Sequence, residues 1–228
     1  MSGASRYRYL FSPLRVGPVV VRNRIVFSAH LTNYAEDGLP TQQHADYYAA
    51  RAAGGVGLII TEEHSTHPTD WPYEKLIHGF HRAVIPGYQM MTRAAHDHGV
   101  PIFAQLNHNG GQASSMFSRL PVWAPSPVPD PMFREVPKAV ERREIAQIVA
   151  GYATVAGHCA EGGFDGVELQ CSHSSIVRGF LSPATTSAPM RTAARCRPGP
   201  ASCWRSSTRC ARRSGPTARW ACGSAATS

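Results

Sequence analysis

Two glutamines stand where chemistry could be done. Gln105 closes the apolar run Val100–Leu106, one residue before its end, and Gln170 ends the run Phe164–Gln170. Both runs are short and strand-like, with apolar residues recurring along them. Period-two alternation sets Phe103 with Gln105 on one face, and Glu168 with Gln170 on one face. A primary amide both donates and accepts, so it matches a ring edge that carries C=O and N–H side by side. The pyrimidine edge of a flavin is such an edge. A glutamine at a strand end is also commonly just solvated, and spacing alone does not separate the two. His108 and His173 follow the same two runs, and other reactive types gather after two earlier ones: Ser28-Ala29-His30 and Glu62-Glu63-His64. Glu168 reads as a structural carboxylate, and at His30 the backbone is expected to matter more than the ring. His96-Asp97-His98 invites a metal, but these residues end a helix before Gly99, where a histidine is favourable with the helix dipole. His78 and His81 read as a solvated loop pair.

Such groups need a scaffold that brings strand ends to one mouth. Arg24–Ala29 reads as a first strand. Thr41 caps a helix through about Ala53, its hydroxyl satisfying a free N–H, and Gly54-Gly55 end it. Val56–Thr61 is a second strand, Val84–His98 a helix stopped by Gly99, and Val100–Leu106 a third strand. A Pro-rich loop runs from about Asn107 to Pro137. A helix follows from about Val140 to Glu161, ended by Gly162-Gly163, and then the fourth strand, Phe164–Gln170. Strands alternating with helices imply βαβ units and a parallel sheet. Four units in about 170 residues suit the first half of an eight-unit barrel, whose reactive groups sit at the C-terminal strand ends. A doubly wound sheet is the alternative, and no G-x-G-x-x-G follows any strand to support it. The expected class is α/β, a (β/α)8 TIM barrel truncated after about the fourth βα unit.

Five ordered motifs carry a resemblance. They are Leu10-Phe-Ser-Pro-Leu14 with Asn23-Arg-Ile-Val-Phe-Ser28; Tyr47-Tyr-Ala-Ala-Arg-Ala-Ala-Gly-Gly-Val-Gly-Leu-Ile-Ile-Thr-Glu62; Phe103-Ala-Gln-Leu-Asn-His-Asn-Gly110; Glu161-Gly-Gly-Phe-Asp-Gly-Val-Glu-Leu-Gln-Cys-Ser-His173; and Phe180-Leu-Ser-Pro-Ala-Thr185. Over residues 10–185 they resemble the N-terminal half of the old yellow enzyme / NADH:flavin oxidoreductase family of 2,4-dienoyl-CoA reductase-like barrels. The resemblance implies FMN as cofactor and NADH or NADPH as reductant. It implies that Ser28, Ala29 and His30 hold the flavin by backbone contacts, that Gln105 bonds the pyrimidine edge, and that Glu63 lines the flavin site after strand two. His173 matches the second of two polar positions that grip the substrate's activating oxygen, and Gln170 falls at the first. The flavin-tuning position falls on Leu31 or Thr32. One departure concerns the proton: the family's usual Gly-Tyr is Ser174-Ser175 here, and a serine hydroxyl is a poor acid with no matched pKa. An iron–sulfur cluster, present in some relatives, is expected only in a full-length parent.

The chain's net charge of +8 is not spread evenly. All 15 acidic residues lie in 1–185, whereas Thr186–Ser228 holds eight Arg, four Cys and no Asp, Glu or Lys. The body is therefore neutral, with 23 − 8 = 15 basic residues against 15 acidic ones, so no nucleic-acid or membrane partner is expected. There is no run of about 18 apolar residues to span a membrane and no apolar N-terminal stretch of a secretory signal, so a cytoplasmic protein is expected. Thr186–Ser228 also lacks Leu, Ile, Val, Phe and Tyr, and cannot offset its ordering entropy by burial. A disordered tail is the plain reading. A sharper one is a lost base: with one base restored after codon 185, permitted codons read Thr-Asn-Gln-Arg-Thr-Asp-Ala-Tyr-Gly-Gly-Ser-Leu and further on Arg-Ala-Arg-Phe-Leu-Leu-Glu-Val-Val-Asp-Ala-Val-Arg. The first stretch resembles the family's next motif, and the second is an amphipathic helix. Domains are expected at 1–185 (barrel half) and 186–228 (out-of-frame tail).

The expected function is FMN-dependent reduction of an activated alkene or related small molecule. Its rivals are a catalytically inactive fragment and a metal-dependent hydrolase barrel.

Overall fold

The computed structural model describes residues 6–186 and the backbone of 221–224. Apart from Thr186 and that four-residue stretch, the expected tail lies outside the described residues. The chain opens with an antiparallel hairpin, β1 (Leu14–Val16) and β2 (Val19–Val21), which the sequence reading lacks. Gly17 takes φ 59 in its two-residue connection, where a side chain would be strained.

The βα units follow: β3 (Val26–Phe27), α1 (Gln42–Ala53), β4 (Leu58–Ser65), α2 (Ile85–His96) and β5 (Ile102–Asn107). After β5 the expected loop is partly ordered into α3 (Ser115–Ser118) and a two-stranded parallel pair, β6 (Trp123–Ala124) with β7 (Lys138–Ala139). Then come α4 (Arg142–Glu161), β8 (Gly166–Leu169), α5 (Ile176–Leu181) and β9 (Ala221–Ser224). The main sheet runs β3-β4-β5-β8-β9 with every pair parallel. Its spatial order follows the chain without reversal, which is the order of a barrel and not of a doubly wound sheet.

Helix ends follow local chemistry. Thr41 stands at the N-cap of α1, its side chain facing the His44 N–H in a capping box while its hydroxyl donates to Tyr34 O at 2.9 Å. The His44 ring reaches back to accept from Thr41 N at 3.0 Å, the role a Glu plays in a capping box. Glu144 does the same for Glu141 N at 2.9 Å, opening α4. Gly99 and Gly163 take φ 65 and 87, turning the chain from α2 and α4 into the next strands.

The main core lies between sheet and helices. Ile59, Ile102 and Ala104 from the strands meet Tyr48, Met91, Val155 and Cys159 from α1, α2 and α4. A smaller cluster forms on the opposite sheet face, where Val16, Val19 and Val21 of the hairpin pack with Leu58, Ile60 and Phe103. The hairpin thus covers the inner face of β4 and β5. No helix among the described residues is long and apolar enough to cross a membrane.

Candidate functional site

Three side chains stand in register across adjacent strands: Glu63 of β4 pairs with Gln105 of β5, which pairs with Glu168 of β8. The preceding row on that face is Ile60, Phe103 and Gly166. Gly166 is needed there, because a Cβ would lie 2.8 Å from the Phe103 ring. Strict alternation from Ile60 would place Glu62 in the upper row. A register shift between Ile60 and Glu63 puts Glu63 there instead, as a β-bulge does when it re-aims a side chain. Glu62 turns away and is fully buried: Oε1 lies 3.2 Å from His44 Nε2, and the carboxylate accepts from Thr32 N and Thr32 Oγ1. Thr32 is thereby tied to β4, and Leu31 is the residue at the mouth.

All eight site residues expected from the sequence, Ser28, Ala29, His30, Leu31, Glu63, Gln105, Gln170 and His173, line one cavity of about 410 Å³ at the C-terminal strand ends. Its volume is that of a small-molecule pocket. Tyr73, Asn109, Glu168, Ser172 and Ser174 complete the wall, and no Lys or Arg is among the described lining residues. Tyr73 and Asn109 lie on the loops after β4 and β5. The rule that such loops build a barrel's mouth is the signal that could have found them.

Electrostatics of this wall are set by buried acids. Gln105 Nε2 donates to Glu168 Oε1 at 2.7 Å. Burial raises the Glu168 carboxyl, and the Gln105 bond partly opposes that. Glu63 accepts from the side-chain amides of Asn107 and Asn109, yet burial outweighs both and raises its pKa. Behind it Asp70 is fully buried and pushed well above the usual carboxylate range, first by burial and then by the charge of Glu63. Asn109 N holds Asp70 Oδ1 at 2.8 Å. Gln170 Oε1 accepts from Ser172 N, which leaves its NH2 end for donation. His173 is exposed at the rim.

Several chemistry-bearing residues lie elsewhere. Ser175 is buried and N-caps α5, accepting from Val177 N and donating to Gln170 O at 2.7 Å. It takes the place of the expected proton donor in sequence only. His64 faces the helices, stacked on Tyr88 with centroids 4.9 Å apart, and burial lowers its pKa to about 3. His108 is likewise buried, accepts from Gly110 N, and is lowered to about 3. His78 is not solvated as expected: it is buried against Trp71 and Phe80. His96 bonds Asp165 Oδ2 at 2.8 Å, tying the end of α2 to the turn before β8.

Comparison with known proteins bears on the family and the fold. The profile of the NADH:flavin oxidoreductase / NADH oxidase family matches residues 9–188. An NADH oxidase of Thermoanaerobacter brockii is 37% identical over 182 residues, covering 77% of this chain and 28% of that protein. An N,N-dimethylglycine/sarcosine dehydrogenase of Chromohalobacter salexigens is 33% identical over 178 residues, 76% of this chain and 26% of its own. The chain thus spans about a quarter of the length of these relatives. Among solved structures, the old yellow enzyme homologue of Zymomonas mobilis superposes with a TM-score of 0.81 at 27% identity, over 94% of this chain and 62% of that one. Barrel order, mouth and sequence motifs converge: the chain belongs to the NADH:flavin oxidoreductase / NADH oxidase family, whose cofactor is FMN.

Proposed function

We propose that the cavity is the flavin and substrate mouth of an oxidoreductase that takes electrons from NADH or NADPH and reduces an activated alkene or a related acceptor. The observation that carries this reading is the in-register row Glu63–Gln105–Glu168 beneath a cavity that gathers Ser28–Leu31, Gln170 and His173. The residues present fit FMN. Gln105 gives its N–H to Glu168 and keeps its carbonyl oxygen for a ring N–H. Asn109 Oδ1, buried at the wall without a hydrogen-bond partner, is a further acceptor. Ser28, Ala29 and His30 would hold the cofactor by backbone groups, Leu31 and Glu63 would line it, and Gln105 would bond its pyrimidine edge. FMN, when bound and reduced, supplies a hydride. Gln170 and His173 donate to the acceptor's carbonyl oxygen, where negative charge builds during reduction. Losing one such donor costs roughly 3 kcal/mol, or about 100-fold in rate.

We also propose that residues 186–228 are read out of frame. The family match stops at residue 188, beside the point after which Asp, Glu, Leu, Ile, Val, Phe and Tyr no longer occur.

A second reading is oxidation of an N-methylated amine. The wall carries Glu63 and Glu168 with no Lys or Arg among the described lining residues, which suits a cation, and one relative is an N,N-dimethylglycine/sarcosine dehydrogenase. Anaerobic spectroscopy on the frame-restored flavoprotein separates the two. After reduction by NADH or NADPH, 2-cyclohexenone should return the oxidised spectrum. If the enone leaves the spectrum unchanged while an N-methylated amine bleaches the oxidised protein, alkene reduction is wrong and the second reading replaces it.

A further inference from the structure

Reducing a carbon–carbon double bond takes a proton as well as a hydride, so a donor must stand at the mouth. Ser175 is withdrawn into the cap of α5. Glu168 is committed to Gln105 and Glu63 to two asparagine amides, while Gln170 and His173 serve the carbonyl oxygen. Tyr73 differs from all of them. It enters on the loop between β4 and α2, is half-buried, and lines the cavity beside Glu63. Its hydroxyl makes no hydrogen bond with any described residue, so it is free to face a bound acceptor.

We propose that Tyr73 is the proton donor of the reduction, an assignment that rests on the alkene reading above. Hydride addition forms a C–H bond at the β-carbon, and the π pair moves to the carbonyl oxygen as an enolate. The Tyr73 O–H bond then breaks, its proton forms the C–H bond at the α-carbon, and the enolate collapses to the ketone. The phenolate left behind regains a proton from water at the open mouth. Burial, and then the charges of Glu63 and Asp70, hold the phenol above its ordinary pKa, so it stays protonated through the neutral range. Its proton leaves only for a strong base such as an enolate.

The test uses the frame-restored, FMN-loaded protein and Tyr73→Phe. The variant should keep stoichiometric FMN and its rate of reduction by nicotinamide. Its reoxidation by 2-methylcyclohex-2-enone should fall about 100-fold, the scale of lost general-acid catalysis. Reoxidation by a quinone, which is protonated on oxygen by water, should change little. In D2O, deuterium at the product α-carbon, read by NMR, should enter one face in the parent and both faces in Tyr73→Phe. An unchanged enone rate, or equal losses with both acceptors, overturns the assignment. A parent protein without FMN overturns the alkene reading and this assignment with it. Should Tyr73→Phe lose FMN, Tyr73→His decides: enone reduction must be retained below about pH 6.5, where imidazole carries its proton, and lost above. A flat profile overturns the assignment.

Discussion

Ser174 holds φ 48, a left-handed conformation that costs an ordinary L-residue about 1–2 kcal/mol and glycine far less. The family resemblance places glycine at this position, and the fold has kept the backbone that glycine serves. Ser174→Gly should therefore raise the unfolding free energy by about 1 kcal/mol in urea titration, since relief of strain outweighs the added chain entropy. A lower stability would show that the Ser174 side chain matters more than its backbone. In the proposed reading, Gln105 bonds the pyrimidine edge of the flavin. Replacing it by Leu removes the amide and leaves Glu168 without its donor, so FMN affinity should fall about tenfold, the worth of one hydrogen bond, in a fluorescence titration of the frame-restored protein. An unchanged affinity would remove Gln105 from the site. Residues of this kind were legible because they follow strands, where a barrel concentrates its chemistry. Tyr73 and Asn109 were not, because no period encodes the path of a loop.

Elements show a similar division. Helices α1, α2 and α4 were readable to within a few residues, since glycines end them and apolar spacing marks their buried faces. The bulge in β4 was not, because it is set by Glu62 turning to His44 and Thr32, partners far along the chain. The same bulge decides which of two adjacent glutamates faces the cavity. Packing of β4 against α2 also leaves a pH signature. His64 has a pKa of about 3 in the fold against about 6.5 in an unfolded chain. The unfolded state therefore takes the proton first. The stability His64 allows is fully present above about pH 6.5 and is lost as pH falls toward 3. Compared with His64→Phe, the parent chain should lose about 2 kcal/mol more between pH 7 and pH 5. Parallel pH profiles for the two would mean that His64 takes up its proton while still folded.

At the scale of the molecule, four βα units make a curved parallel sheet with its mouth formed, and β9 pairs along β8 at the far edge. The barrel class was legible from the alternation of strands and helices together with the lack of a G-x-G-x-x-G after any strand. The composition break at 186 was also legible, whereas the pairing of β9 was not, since Ala221–Ser224 has no strand pattern. A flavin mouth at these strand ends and an out-of-frame segment after residue 185 are tested together by the visible spectrum of the purified protein, made as the 228-residue chain and with one base restored after codon 185. The near-ultraviolet and blue bands of oxidised FMN, at one flavin per chain, are expected in the restored protein, with little or none in the 228-residue chain. Flavin bands in the 228-residue chain would contradict an out-of-frame segment, and colourless protein from both would contradict the flavin mouth itself.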